Sequence, residues 1–110
     1  MANAFKNAVS ASIGTSNVDI YTAPSATTTT VIGMTVSNRT ASAINVDVSV
    51  TDTSSGTTAY LIKSAPIPVG GSLVVVGGDQ KVVLETTDKI TVVSDTATSA
   101  DAVISVLEQS

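Results

Sequence analysis

Apolar and polar residues alternate through most of the chain. The clearest run is Ile44-Asn45-Val46-Asp47-Val48-Ser49-Val50-Thr51, where every second residue is β-branched and apolar. Successive side chains of a strand point to opposite faces, so this run predicts a strand with one buried and one wet face, as in an antiparallel sheet. An earlier strand carries Val18 and Ile20, and the next sets Ile32, Met34 and Val36 against Gly33, Thr35 and Ser37. Residues 57–64 centre on Tyr60-Leu61-Ile62. Then come Leu73-Val74-Val75-Val76, Val82-Val83-Leu84, Ile90-Thr91-Val92-Val93, and residues 102–108 around Val103-Ile104-Ser105-Val106-Leu107. Several of these are apolar on both faces, which implies cover on both sides or a surface turned to a partner.

Turn chemistry separates the runs. Ala23-Pro24-Ser25 fixes φ at Pro24, Asn38-Arg39 tolerates left-handed φ, and Asp52-Thr53-Ser54-Ser55-Gly56 reads as a hairpin loop closing on glycine. Gly77-Gly78-Asp79 and Thr86-Thr87-Asp88 read as tight turns. Pro66-Ile67-Pro68-Val69-Gly70-Gly71 lacks two backbone donors within three residues, so it belongs to a sheet edge or a crossing segment. About eight short strands at this spacing predict an all-β sandwich or small barrel, and a core of Val, Ile and Leu with few aromatics favours the sandwich. The first dozen residues fit neither period cleanly: Phe5 and Val9 are spaced as on a helical turn, whereas Val9, Ala11 and Ile13 alternate. The expected organisation is an N-terminal arm over residues 1–12 and a single domain over 13–110. Phe5 then either caps the sandwich or anchors the arm in a neighbouring subunit.

Composition narrows the function. The 110 residues suit one domain, and 43% apolar with 13% charged residues is too apolar for intrinsic disorder. The net charge is −4, and the five basic residues, Lys6, Arg39, Lys63, Lys81 and Lys89, are scattered. No nucleic-acid partner and no anionic membrane partner is expected, because both need clustered cations. No apolar run approaches the roughly 20 residues of a spanning helix, and residues 1–6 lack the pattern of a secretory signal. Asn38-Arg39-Thr40 is formally a glycosylation sequon, but it reads as a turn.

Candidate chemistry is sparse. Histidine and cysteine are both absent. Their absence removes the usual base near neutral pH, the usual zinc ligands and the Ser-His and Cys-His nucleophile pairs. Lys63-Ser64 is adjacent in sequence, and strand neighbours point to opposite faces, so the pair makes no dyad. The carboxylates lack an aromatic platform for a sugar. Asp52, Asp79, Asp88 and Asp95 fall in turns, where oxygen ligands for calcium can gather, but without EF-hand spacing they read as turn formers. The expectation is a non-enzymatic protein with no cofactor and no metal.

Four blocks carry a resemblance. They are Thr30-Val31-Ile32-Gly33-Met34-Thr35-Val36-Ser37-Asn38; Tyr60-Leu61-Ile62-Lys63-Ser64-Ala65-Pro66-Ile67-Pro68-Val69-Gly70-Gly71-Ser72-Leu73; residues 81–92; and residues 103–108. Together they resemble small virion structural proteins of tailed bacteriophages, particularly those of marine bacteria and cyanobacteria. The resemblance spans nearly the whole chain, but its motifs are turns and strand ends. It implies an immunoglobulin-like antiparallel β-sandwich located in the virion and assembled in the host cytoplasm. The implied partners are the major capsid protein or other virion proteins. A homo-oligomer is expected, and a trimer would suit a three-fold axis. The leading role is capsid decoration or cement, ahead of a head-to-tail, tail or fibre component. A carbohydrate- or cell-surface-binding module is the alternative of another class. The segment at Pro66, Ile67 and Pro68 is either a rigid partner contact, alongside Phe5, or a simple connection between the two sheets.

Overall fold

The computed structural model describes residues 2–110. Nine strands follow one another: β1 (Asn3–Ile13), β2 (Val18–Thr22), β3 (Thr28–Asn38), β4 (Ile44–Asp52), β5 (Thr57–Ile67), β6 (Ser72–Val76), β7 (Val82–Leu84), β8 (Lys89–Ser94) and β9 (Ala100–Gln109). All the pairings are antiparallel. One sheet runs β1-β9-β3-β6, with β7 also on β3, and the other runs β2-β8-β4-β5. β6 pairs Met34–Ser37 and β7 pairs Thr29–Val31, so together they fill one position along β3.

The topology follows from one long hairpin. Its tip is the turn between β4 and β5, where the Gly56 N–H donates to the Asp52 carbonyl at 2.9 Å. Moving away from the tip, β4 pairs β5, β3 pairs β6 and β7, β2 pairs β8, and β1 pairs β9. The ribbon then winds so that β4 also meets β8 and β3 also meets β9. The expected antiparallel sandwich therefore forms, and its winding is that of a jelly roll rather than the ABED and CFG sheets of an immunoglobulin domain.

The core is aliphatic. Val46 and Val48 of β4, Ile90 and Val92 of β8, Val31, Met34 and Val36 of β3, and Ile104 and Val106 of β9 are buried between the sheets. Each fully buried side chain of this kind contributes about 1.5–3 kcal/mol. Among the described residues, every buried side-chain nitrogen or oxygen has a hydrogen-bond partner.

Three expectations change. The segment expected as an arm is itself β1, in register with β9 from Asn3↔Gln109 to Ser10↔Ala102. Phe5 caps nothing: it stands 77% exposed. Ile67 is fully buried (0% exposed) opposite Ile44, so it is no surface contact, while Pro66 and Pro68 are exposed. Pro66 sits within β5 because β5 is the last strand of its sheet, and a proline there leaves no neighbour short of a donor. The chain beyond it links the two sheets through a turn closed by Gly71 N–H to the Pro68 carbonyl, with Gly70 at φ +72°.

Candidate functional site

The two outer faces of the sandwich differ in kind. On the β2-β8-β4-β5 sheet the outward residues are mostly polar, with Val93 and Pro66 among them, and the lysines are paired with aspartates. Lys63 bridges Asp47 at 3.0 Å and lies over the Tyr60 ring, while Lys89 bridges Asp19 at 3.2 Å. The Thr91 hydroxyl and then Lys89 hold Asp19 below the usual carboxylate range. Burial opposes ionisation of Asp47, but the Ser64 N–H and Lys63 outweigh it and lower its pKa. Asp47 in turn raises the Lys63 pKa, so the ammonium stays charged at neutral pH. It offers no base to Ser64.

The outer face of the other sheet is nearly bare of charge. Register sets its side chains in rows across four strand positions. One row is Phe5, Leu107, Thr30 and Val83; another is Val9, Val103, Thr35 and Val74. Val9 is 68% exposed, Val74 71% and Val83 60%, so these valines are at the surface rather than in a core. Between the rows lie the small residues Asn7, Ser105 and Gly33. They leave a shallow open depression of about 240 Å³ floored by Ile32 and Ser105 and flanked by Phe5. Among the described outward residues of these strands the charged one is Asp101, near the start of β9, bound by Arg39 at 3.1 Å.

A polar cluster closes one end of the sandwich. The Tyr21 hydroxyl donates to Glu108 at 2.6 Å and lies 2.9 Å from the Thr29 hydroxyl. Lys6 reaches the other Glu108 oxygen at 2.9 Å. Burial and then the Glu108 carboxylate push the Tyr21 phenol up to about 12. The same hydrogen bond, followed by Lys6, lowers Glu108. The cluster ties β1, β2, β3 and β9 together as a lock between sheets.

The turn aspartates divide. Asp52 and Asp88 come together with Glu85, their carboxylate oxygens within 4.8 Å of one another. Asp88 accepts the Thr53 and Glu85 N–H groups, each at 3.0 Å, and Asp52 accepts the Ser54 hydroxyl at 2.7 Å. These oxygens already order turns. Asp95 instead accepts the Asn45 N–H at 3.1 Å.

The sequon asparagine is also structural. Asn38 is buried, and its amide donates to the carbonyls of Ser42 at 2.7 Å and Ile67 at 3.1 Å, while its oxygen accepts the Thr40 N–H at 2.8 Å.

No family model matches the sequence, and no curated protein does. Solved structures share the fold. A chain of the acidic stable capsid structure of Helicobacter pylori bacteriophage KHP30 superposes with a TM-score of 0.57 at 10% identity, covering 98% of this chain and 87% of that one. A chain of the Bacillus endospore appendages, described as a novel family of disulfide-linked pili, gives a TM-score of 0.52 at 10% identity, covering 98% of this chain and 88% of that one. The marine and cyanobacterial hosts of the sequence resemblance gain no support from either.

Proposed function

We propose that the chain is a non-enzymatic structural subunit of a bacteriophage virion and decorates the head shell through its nearly uncharged sheet face. The observation that carries this reading is the pair of rows through Phe5 and Val9, each apolar at three of its four positions and largely exposed. Large contiguous apolar surface on a soluble protein marks an interaction site. The opposite face, with its ion pairs, is suited to water.

The same fold within an assembled phage capsid supports the reading. So does the lack of histidine and cysteine, which leaves few routes to acid–base or nucleophilic chemistry. Weak contacts suffice for such a subunit, because many copies on one shell act together. The partners are then the major capsid protein or other virion proteins, and the location is the particle.

Quantitative mass spectrometry of purified virions tests this. A ratio to the major capsid protein of about one, or about one third, is the expected result for decoration around symmetry axes. A dozen or so copies would move the protein to the neck or tail, and absence from the particle would overturn the proposal. The pilus match favours a second reading, a fibre subunit. Filaments formed by the isolated chain under the electron microscope would favour it over the first.

A further inference from the structure

We infer that two copies of this chain pair antiparallel through β1, about a two-fold axis passing between their Asn7 residues. The edges of each sheet carry unpaired N–H and C=O groups that invite a further strand. Proteins blunt such edges with prolines, charges, bulges or short strands. Here β5 carries Lys63, Pro66 and two register shifts. β2 has 5 residues and a register shift. On the far side of the other sheet, β6 has 5 residues and β7 has 3, with Gly77 and Gly78 between them. β1 differs in degree: it is 11 residues long and has no proline, its one charge, Lys6, is bound to Glu108, and its single register shift lies beyond Ser10, leaving Asn3 to Ser10 in unbroken register.

The backbone of β1 presents a defined set of free groups. Ala2 and Ser110 exchange both of their hydrogen bonds, each 2.9 Å long. Hydrogen-bonded and non-hydrogen-bonded pairs alternate along an antiparallel ladder. Ala4, Lys6 and Ala8 therefore bond β9, and Asn3, Phe5, Asn7 and Val9 turn their N–H and C=O groups outward. Phe5 and Val9 also hold the exposed side chains. Backbone donors and apolar side chains thus fall on the same residues.

That spacing is self-complementary. When Asn7 opposes Asn7 of the second copy, Phe5 opposes Val9 and Val9 opposes Phe5, an aromatic with β-branched pairing that favours adjacent strands. Lys6 lies on the other face, bound to Glu108 at 2.9 Å, and in this register it opposes Ala8. A register centred on Lys6 would instead set two ammonium groups against each other. The chain has a net charge of −4, yet β1 contains no acid, so pairing there brings no carboxylates of the two copies together along the strand. The product is one continuous sheet whose apolar outer rows run through both copies. An edge of one strand buries little area, so the association is weak. It is a property of the isolated chain and stands apart from the virion role, which copy number tests.

Sedimentation and site-directed cross-linking of the full chain test the pairing. The wild type is expected to show a monomer–dimer equilibrium. Asn7→Lys, which sets like charges together at the axis, is expected to weaken it by about tenfold or more, with an unchanged circular dichroism spectrum. The chain has no cysteine, so single thiols can be placed without background. A short bismaleimide should link Asn7→Cys, whose paired Cα atoms sit about 5.5 Å apart, at least about tenfold faster than Ala11→Cys, whose copies lie roughly 27 Å apart. A monomer at concentrations up to about 1 mM, a trimer, or equal cross-linking at the two positions would overturn the inference.

Discussion

Two polar locks, one at Asn38 and one between Tyr21 and Glu108, do more for this fold than their chemistry announces. Asn38 holds the end of β3 to the Ile67 carbonyl and to its own loop through Thr40. Asn38→Ala would leave these groups without a partner, and the cost of unmet buried hydrogen bonds is about 1–3 kcal/mol. Urea unfolding should show that loss as a lower midpoint. Tyr21 and Glu108 form the other lock. The carboxylate must lack a proton and the phenol must keep one, which fixes the signs. Glu108 is lowered in the fold, so its contribution is complete above the ordinary glutamate range and is lost as pH falls through the folded value. Tyr21 is raised, so its contribution is complete below the ordinary tyrosine value and is lost as pH rises toward about 12. In a Tyr60→Phe background, the tyrosinate absorbance should therefore titrate with a midpoint of about 12. Glu108→Gln should move that midpoint part of the way back.

At the scale of the strand, alternation is legible where one face is buried and the other polar. β4 is the plain case: Val46 and Val48 are buried, and Asn45 and Asp47 face outward. β1 escapes the same reading because its pattern is inverted. Before its end at the buried Ile13, its inward positions are Ala4, Lys6 and Ala8, and the larger apolar residues Phe5 and Val9 face out. A segment with its apolar side chains on the open face looks like an arm. Ile67 misleads for a related reason, since prolines on both sides suggest a loop although the edge strand β5 continues through Pro66. Runs such as Val82-Val83-Leu84 and Val103 to Leu107 show in sequence that both faces are apolar, but their alignment into outer rows is not legible there, because it depends on the register of strands far apart in the chain. Neighbours on β9 offer a direct comparison. Ile104→Ala, on the core side, should cost about 2–5 kcal/mol. Val103→Ala, on the outer face, should stay within about 0.5 kcal/mol by chemical denaturation of the isolated chain.

The whole molecule is elongated, 46 × 26 × 23 Å, with a jelly-roll core between unlike faces. One face is laced with Asp47–Lys63 and Asp19–Lys89 pairs, and the other offers rows of valine with Phe5 and Leu107. The two faces predict an orientation, with the apolar face against a neighbour and the charged face in water. Substituting Val9, Val74 and Val103 together by Ser should reduce retention on particles while leaving the isolated fold intact, because none of the three contributes to the core. Fluorescence of labelled chains on purified particles, set against their thermal unfolding, would read both effects.

A cryo-electron microscopy reconstruction of the assembled particle would show which face of the sandwich meets the shell. The expected reconstruction has this chain in many symmetry-related copies, with Val9, Val74 and Val103 buried against neighbouring subunits and Lys63 and Asp47 facing solvent. A particle that lacks the chain, or that buries the charged face and leaves the valine rows in water, would contradict it.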